Sequence, residues 1–268
     1  MVQPVDGKNT TIWQSFQVTD NNCYLRQIGP LKIWIRRRDD EWMVTSQDDP
    51  DQIEKTDAAV CEHVPENVEW NRYVLSGNSK TVKLSPVTPD RSVVVRPESM
   101  LKIESGARAL FYVLIPVWIT VSVGTQKKHA LDEFPSKVLS NTWFGEPHEG
   151  ELCYYLKTWA KRSLDGLVPR PHQVVCPVYI KNGSSSDLQF NRLCIRTGFL
   201  SIYQGASWLW ASKVFVQFRG VNHTSKIKYD NEIPDFEPDC HLVGMPRQKP
   251  LREFSIKSFD NFKVSLLG

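Results

Sequence analysis

Between residues 141 and 153 the chain reads NTWFGEPHEGELC, which places Asn141, Trp143, Glu146, His148, Glu149 and Glu151 in one short stretch. Imidazole and carboxylate groups coordinate zinc and other divalent ions, and a pair of carboxylates in a cleft can divide acid and base roles. The spacing matches no helical His-Glu-x-x-His arrangement, so a polar loop accounts for these residues better than a metal centre, and no metal or cofactor is assigned. These six residues are nonetheless the candidate binding site, because simple sheet packing needs fewer special side chains than this segment carries. The competing account makes it a rigid connection, with Trp143 and Phe144 plugging an interface. Cys61-Glu62-His63 offers two further ligand types without a third.

Other chemistry is weaker. Ser184, Ser185 and Ser186 sit in no nucleophile elbow, and no glycine-rich phosphate loop opens a helix. Six cysteines are scattered without a Cys-x-x-Cys pair; Cys153, Cys176 and Cys194 lie in apolar runs and read as reduced, inert core thiols. Arg36-Arg37-Arg38 beside Trp34 resembles a phosphate-contacting surface, but Asp39-Asp40-Glu41 cancels the charge at once, which suits a solvated hairpin end. Trp208 and Trp210 share one side of a strand and read as packing groups.

The elements that must position these residues are strands. Residues 107–124 form a nearly continuous apolar β-forming run broken by Pro116, which predicts two buried strands meeting at a bend. Period-two alternation recurs at Leu31-Ile33-Ile35, at Val174-Cys176-Val178-Ile180 and at Val214-Val216-Phe218, with Ile227 and Tyr229 in an edge-like strand. Residues 154–164 admit a short helix as the alternative to a strand. The expected fold is therefore all-β, as two β-sandwich-like halves of immunoglobulin-like or jelly-roll-like type with few short helices, residues 1–134 and residues 135–268, with one continuous large sandwich as the alternative.

Net charge is +3, with 16 Lys and Arg against 18 Asp and Glu in residues 1–134, and 17 against 12 in residues 135–268. That balance is too small to imply nucleic acid, and no nucleic-acid partner is expected. No basic-then-apolar leader opens the sequence, and the longest apolar run falls short of a membrane span of roughly 20 residues. A cytoplasmic location without membrane insertion is the expectation.

The blocks Val93-Val94-Val95-Arg96-Pro97-Glu98, Tyr112 to Trp118, Leu139-Ser140-Asn141-Thr142-Trp143-Phe144-Gly145, Gly150-Glu151-Leu152-Cys153-Tyr154, residues 177–182 and Arg192-Leu193-Cys194-Ile195 together resemble the DUF432 family of uncharacterised prokaryotic proteins. The resemblance runs from about Gly29 to Tyr229. It implies a bacterial or archaeal cytoplasmic protein and supplies no catalytic residue. The function expected from the sequence is a non-enzymatic binding or assembly module that engages a protein partner or self-associates. A metal-assisted hydrolase, or a small-ligand or carbohydrate binder, built on residues 141–153 is the alternative.

Overall fold

The computed structural model describes residues 12–61, 66, 68–125, 128–158, 161–190, 192–220, 223–249, 254–256 and 258–260. The chain is all-β, and the helical content among these residues is one 3-10 turn at Thr197–Phe199. A first antiparallel sheet contains β2 (Cys23–Ile28), β3 (Leu31–Arg38), β4 (Glu41–Asp48), β5 (Thr56–Cys61) and β6 (Asn71–Val74), in the order β5-β2-β3-β4-β6. A second orders β1 (Ser15–Gln17), β7 (Thr81–Val87), β11 (Trp118–Val123) and β12 (His129–Pro135) as β1-β7-β11-β12.

The largest sheet is centred on β15 (Gln173–Asn182). Along one edge it pairs antiparallel with β10 (Arg108–Pro116). Along the other it pairs parallel with β19 (Leu209–Ala211) and then β20 (Lys213–Phe218). β18 (Ile202–Gln204) and β22 (His241–Gly244) extend the sheet beyond β19, and β21 (Ser225–Asp230) and β23 (Phe254–Ile256) extend it beyond β20. A fourth sheet runs β13 (Asn141–Phe144), β14 (Glu151–Thr158), β8 (Val93–Pro97), β17 (Arg192–Ile195), β24 (Phe259–Asp260), and β9 (Leu101–Ile103) pairs with β16 (Leu188–Phe190).

The bend predicted at Pro116 is where the chain changes sheets. Phe111, Val113 and Ile115 of β10, then Val117, then Ile119, Val121 and Val123 of β11 are all buried, so one inward alternation continues across the corner. Fully burying each such aliphatic side chain stabilises the fold by about 1.5–3 kcal/mol. These residues belong to one hydrophobic cluster that also takes in Ile33 and Ile35 of β3 and Val178 and Ile180 of β15. Strand pairs β8·β14, β8·β17, β9·β16 and β10·β15 join residues on either side of position 134, so three of the sheets draw on both sequence halves.

Three local expectations are corrected. Residues 154–158 belong to strand β14 rather than to a helix, because its residues 154–158 pair in register with Val93 to Pro97. β21 is only in part an edge, since β23 covers Ser225 to Ile227 and, among the described residues, leaves Lys228 to Asp230 uncovered on that side. Arg37 turns inward, 4% exposed, and its guanidinium binds the Asp20 carboxylate, so that part of the arginine-rich hairpin is not solvated. Residues 62 and 63, from the Cys61-Glu62-His63 pair, lie outside the described residues.

His172 fastens the corner. Its carbonyl accepts from the Val117 amide at 3.0 Å and from Ser136 Oγ at 3.2 Å. Its ring presses on the backbone of Gly29, where a Cβ would lie 2.2 Å from Nδ1; Gly29 also has φ +58°, a conformation glycine adopts without strain. Burial, with Arg170 and Lys137 adding repulsion, lowers the His172 pKa from an ordinary 6.5 to about 4. The unfolded chain therefore takes up the proton first, so His172 leaves stability undiminished above about pH 6.5 and subtracts up to about 3 kcal/mol as the pH falls towards 4. Denaturant midpoints measured from pH 7.5 to 4 are expected to fall more steeply for the wild type than for His172→Gln, and parallel curves would refute this assignment.

Candidate functional site

The segment singled out by the sequence is a β-hairpin. β13 and β14 pair with Asn141 opposite Tyr154 and Phe144 opposite Glu151. The loop closes around the Glu146 carbonyl, which accepts from the amides of Gly150 at 2.8 Å and Glu149 at 3.2 Å and from Trp143 Nε1 at 3.1 Å. Gly150 is obligatory for this closure, because a Cβ there would lie 2.3 Å from Trp143 Nε1.

The six candidate residues are thereby dispersed. Trp143 lies across Gly150 and keeps 45% of its surface exposed. Asn141 Oδ1 accepts from Arg91 at 3.0 Å. Glu146, His148 and Glu149 are exposed on the loop. Glu151, on the strand beyond the loop, meets groups from two other strands or their flanks: its Oε2 accepts from Ser92 Oγ at 3.2 Å, and its Oε1 accepts from Arg196 Nη2 at 2.7 Å.

Beside Glu151 stand two thiols. Cys153 and Cys194 are 0% and 1% exposed, packed with Val94 and Phe144 in a small cluster separate from the main core. The two sulfurs and a Glu151 carboxylate oxygen all lie within 4.8 Å of one another. The thiols interact directly: the hydrogen bond from Cys194 holds the Cys153 pKa below that of an ordinary thiol, and the same bond, with burial, pushes Cys194 well up. Arg196 favours the thiolate form of both.

The apolar runs around these cysteines predict inert thiols, and the structure instead sets them beside a carboxylate and a guanidinium. The available signal was the period of two: Glu151-x-Cys153 and Cys194-x-Arg196 each put their two polar groups on one strand face. What brings the faces together is β8, which pairs with β14 on one side and β17 on the other.

A second locus lies on the outward face of the largest sheet. Leu110, Tyr179, Phe215 and Lys228 are successive neighbours across β10, β15, β20 and β21, and Arg108, Lys181, Gln217 and Lys226 form the next row. They border a groove of about 460 Å³. Tyr179 and Phe215 stack on each other with centroids 4.8 Å apart and planes at 14°, and Lys228 Nζ stands 6.0 Å from the Phe215 ring centre. Among the described residues, Arg108, Lys181 and Lys228 have no carboxylate in ion-pair reach, whereas Lys213 at the end of the face is held by Asp235 at 2.6 Å.

Trp208 and Trp210 border a second groove, of about 370 Å³, with Tyr112, Arg162, Leu164 and Phe236, and are built into its wall. Trp210 is 1% exposed beneath Phe236, stacked at 4.7 Å, and the Glu237 carboxylate accepts from Trp210 Nε1 at 2.9 Å and from the Trp208 amide at 3.0 Å. Packing uses these rings.

The hairpin geometry gives a direct test. Gly150→Ala forces the Trp143 indole off its seat and is expected to cost about 1–3 kcal/mol, as overpacking does. Thermal unfolding and the Trp143 indole N–H resonance check it; unchanged stability with an unmoved resonance would contradict it.

Comparison with known proteins adds a family and no named relative. The family model described as "Protein of unknown function (DUF432)" matches residues 12–263, and no curated protein and no solved structure matches the chain. The matched range takes in the thiol cluster and the basic sheet face alike, and the chain belongs to the DUF432 family.

Proposed function

We propose that the chain is a non-enzymatic cytoplasmic binding module whose groove across β10, β15, β20 and β21 receives an acidic segment of a protein partner. The observation that carries the reading is the combination of an apolar, half-buried floor of Leu110, Tyr179 and Phe215 with Arg108, Lys181 and Lys228 unneutralised at its border. A ligand that covers the floor with apolar side chains and meets the cations with carboxylates gains area burial and charge complementarity together. Apart from β15, β10 has among the described residues only a bridge from Tyr112 to Lys161, so the groove opens at the margin of its sheet. Six cysteines without a disulfide suit a reducing compartment. Among the described residues no helix is long and apolar enough to cross a membrane.

A protein segment fits better than a nucleic acid. Single strands bind by stacking bases on open aromatic faces. Here the Tyr179 and Phe215 faces are turned on each other and Lys228 approaches the Phe215 ring.

The test is capture from a native lysate by wild type and by the double variant Lys181→Glu/Lys228→Glu. A protein retained by the wild type, released as salt rises, unaffected by nuclease and bound about tenfold or more weakly by the variant is the expected result. Equal retention by both proteins, or retention abolished by nuclease, would overturn the reading. Size-exclusion of the purified wild type distinguishes a second copy of the chain as the occupant.

A further inference from the structure

We infer that Glu151, Cys153 and Cys194 form a binding site for a divalent, thiophilic metal ion of the zinc class. The geometry carries it. Three ligand atoms of two types lie within 4.8 Å of one another on the face of β14-β8-β17 turned away from the main core, with Cys194 Sγ 3.9 Å from Glu151 Oε1. Zinc bonds of about 2.3 Å to sulfur and about 2.0–2.2 Å to oxygen require ligand atoms a little closer than this, a contraction that side-chain rotation supplies. Two sulfurs with one oxygen is a donor set that suits zinc rather than calcium or magnesium.

Charge and surroundings agree. On binding, both thiols lose their protons to solvent, and the divalent ion together with the Arg196 guanidinium neutralises two thiolates and a carboxylate. Arg196 and Ser92 each hold one oxygen of Glu151, orienting the carboxylate as outer-shell donors orient metal ligands. Phe144 and Val94 wall the sulfurs off from water. The Glu151 side chain is 41% exposed, so an ion enters from its side, and the fourth coordination position opens there. This site and the basic groove lie on different sheets, so the inference stands independently of the partner reading.

Cobalt(II) titrated into the reduced full-length protein provides the test. One equivalent is expected to produce a thiolate-to-cobalt charge-transfer band, which zinc then abolishes by displacement. Cys153→Ser and Cys194→Ser should each remove the band, Arg196→Gln should weaken binding about 10- to 100-fold, and Cys61→Ser should leave it intact. Cys61→Ser matters because Cys23 and Cys61 are also paired, opposite each other on β2 and β5. A reduced wild type without the band, or a band that persists in both serine variants, would overturn the site. Where the serine variants fail to fold, zinc-edge X-ray absorption on Cys61→Ser decides: two sulfur neighbours at about 2.3 Å support the site, and a shell of oxygen and nitrogen alone refutes it.

Discussion

The architecture depends on the chain keeping one inward alternation while it turns from one sheet into another at Pro116. Residues on both sides of the corner, from Phe111 to Val123, bury their side chains in the same cluster. A slip of one residue in either strand would turn every one of them outward, so the register of β10 against β15 and of β11 against β7 and β12 is set by the same burial. Proline is tolerated because it terminates β10 rather than interrupting a ladder: the next amide, that of Val117, is satisfied by the His172 carbonyl. The His172 ring then meets Gly29 of the β2–β3 turn, so the corner also locates the first sheet.

This explains which parts of the fold are legible in the sequence. Leu31-Ile33-Ile35, Val174 to Ile180 and residues 107–124 declare themselves because period-two burial is a local property of composition. Which strand lies beside which is not local. β15 has neighbours from residues 108–116 on one edge and from residues 209–218 on the other, and nothing in its own sequence names them. The same limit hides the cover that Ser225 to Ile227 receive, since their partner β23 comes from residues 254–256 and is itself only weakly patterned.

The candidate site was legible in part, and for the same reason. Residues 141–151 stand out by composition, and the sequence reading reaches Glu151, but the loop residues Glu146, His148 and Glu149 are exposed and the loop does not bring them to Glu151's partners. Glu151 gains its neighbours through β8, which brings Cys194 and Arg196 of a segment some forty residues away beside it. The apolar flanks of Cys153 and Cys194 predict inert thiols, and burial does place them out of water. Their departure from ordinary core thiols arises from each other and from the charged pair next to them.

Both loci follow from one feature of the central strands. β8 sends Val93 and Val95 into the main core and Val94 towards the thiols; β15 sends Val178 and Ile180 inward and Tyr179 and Lys181 to the groove. A strand that satisfies its neighbours on both edges has its backbone fixed, and the residues on the face turned away from the main core are held with it, half-buried or exposed at the groove and fully buried at the thiols. Substitutions of the exposed groove residues Lys181 and Lys228 alter charge at little cost to folding, whereas Cys153 and Cys194 carry packing of their own. The chemistry of this chain is consequently found on the rows of its sheets turned away from the main core, open at the groove and enclosed at the thiols.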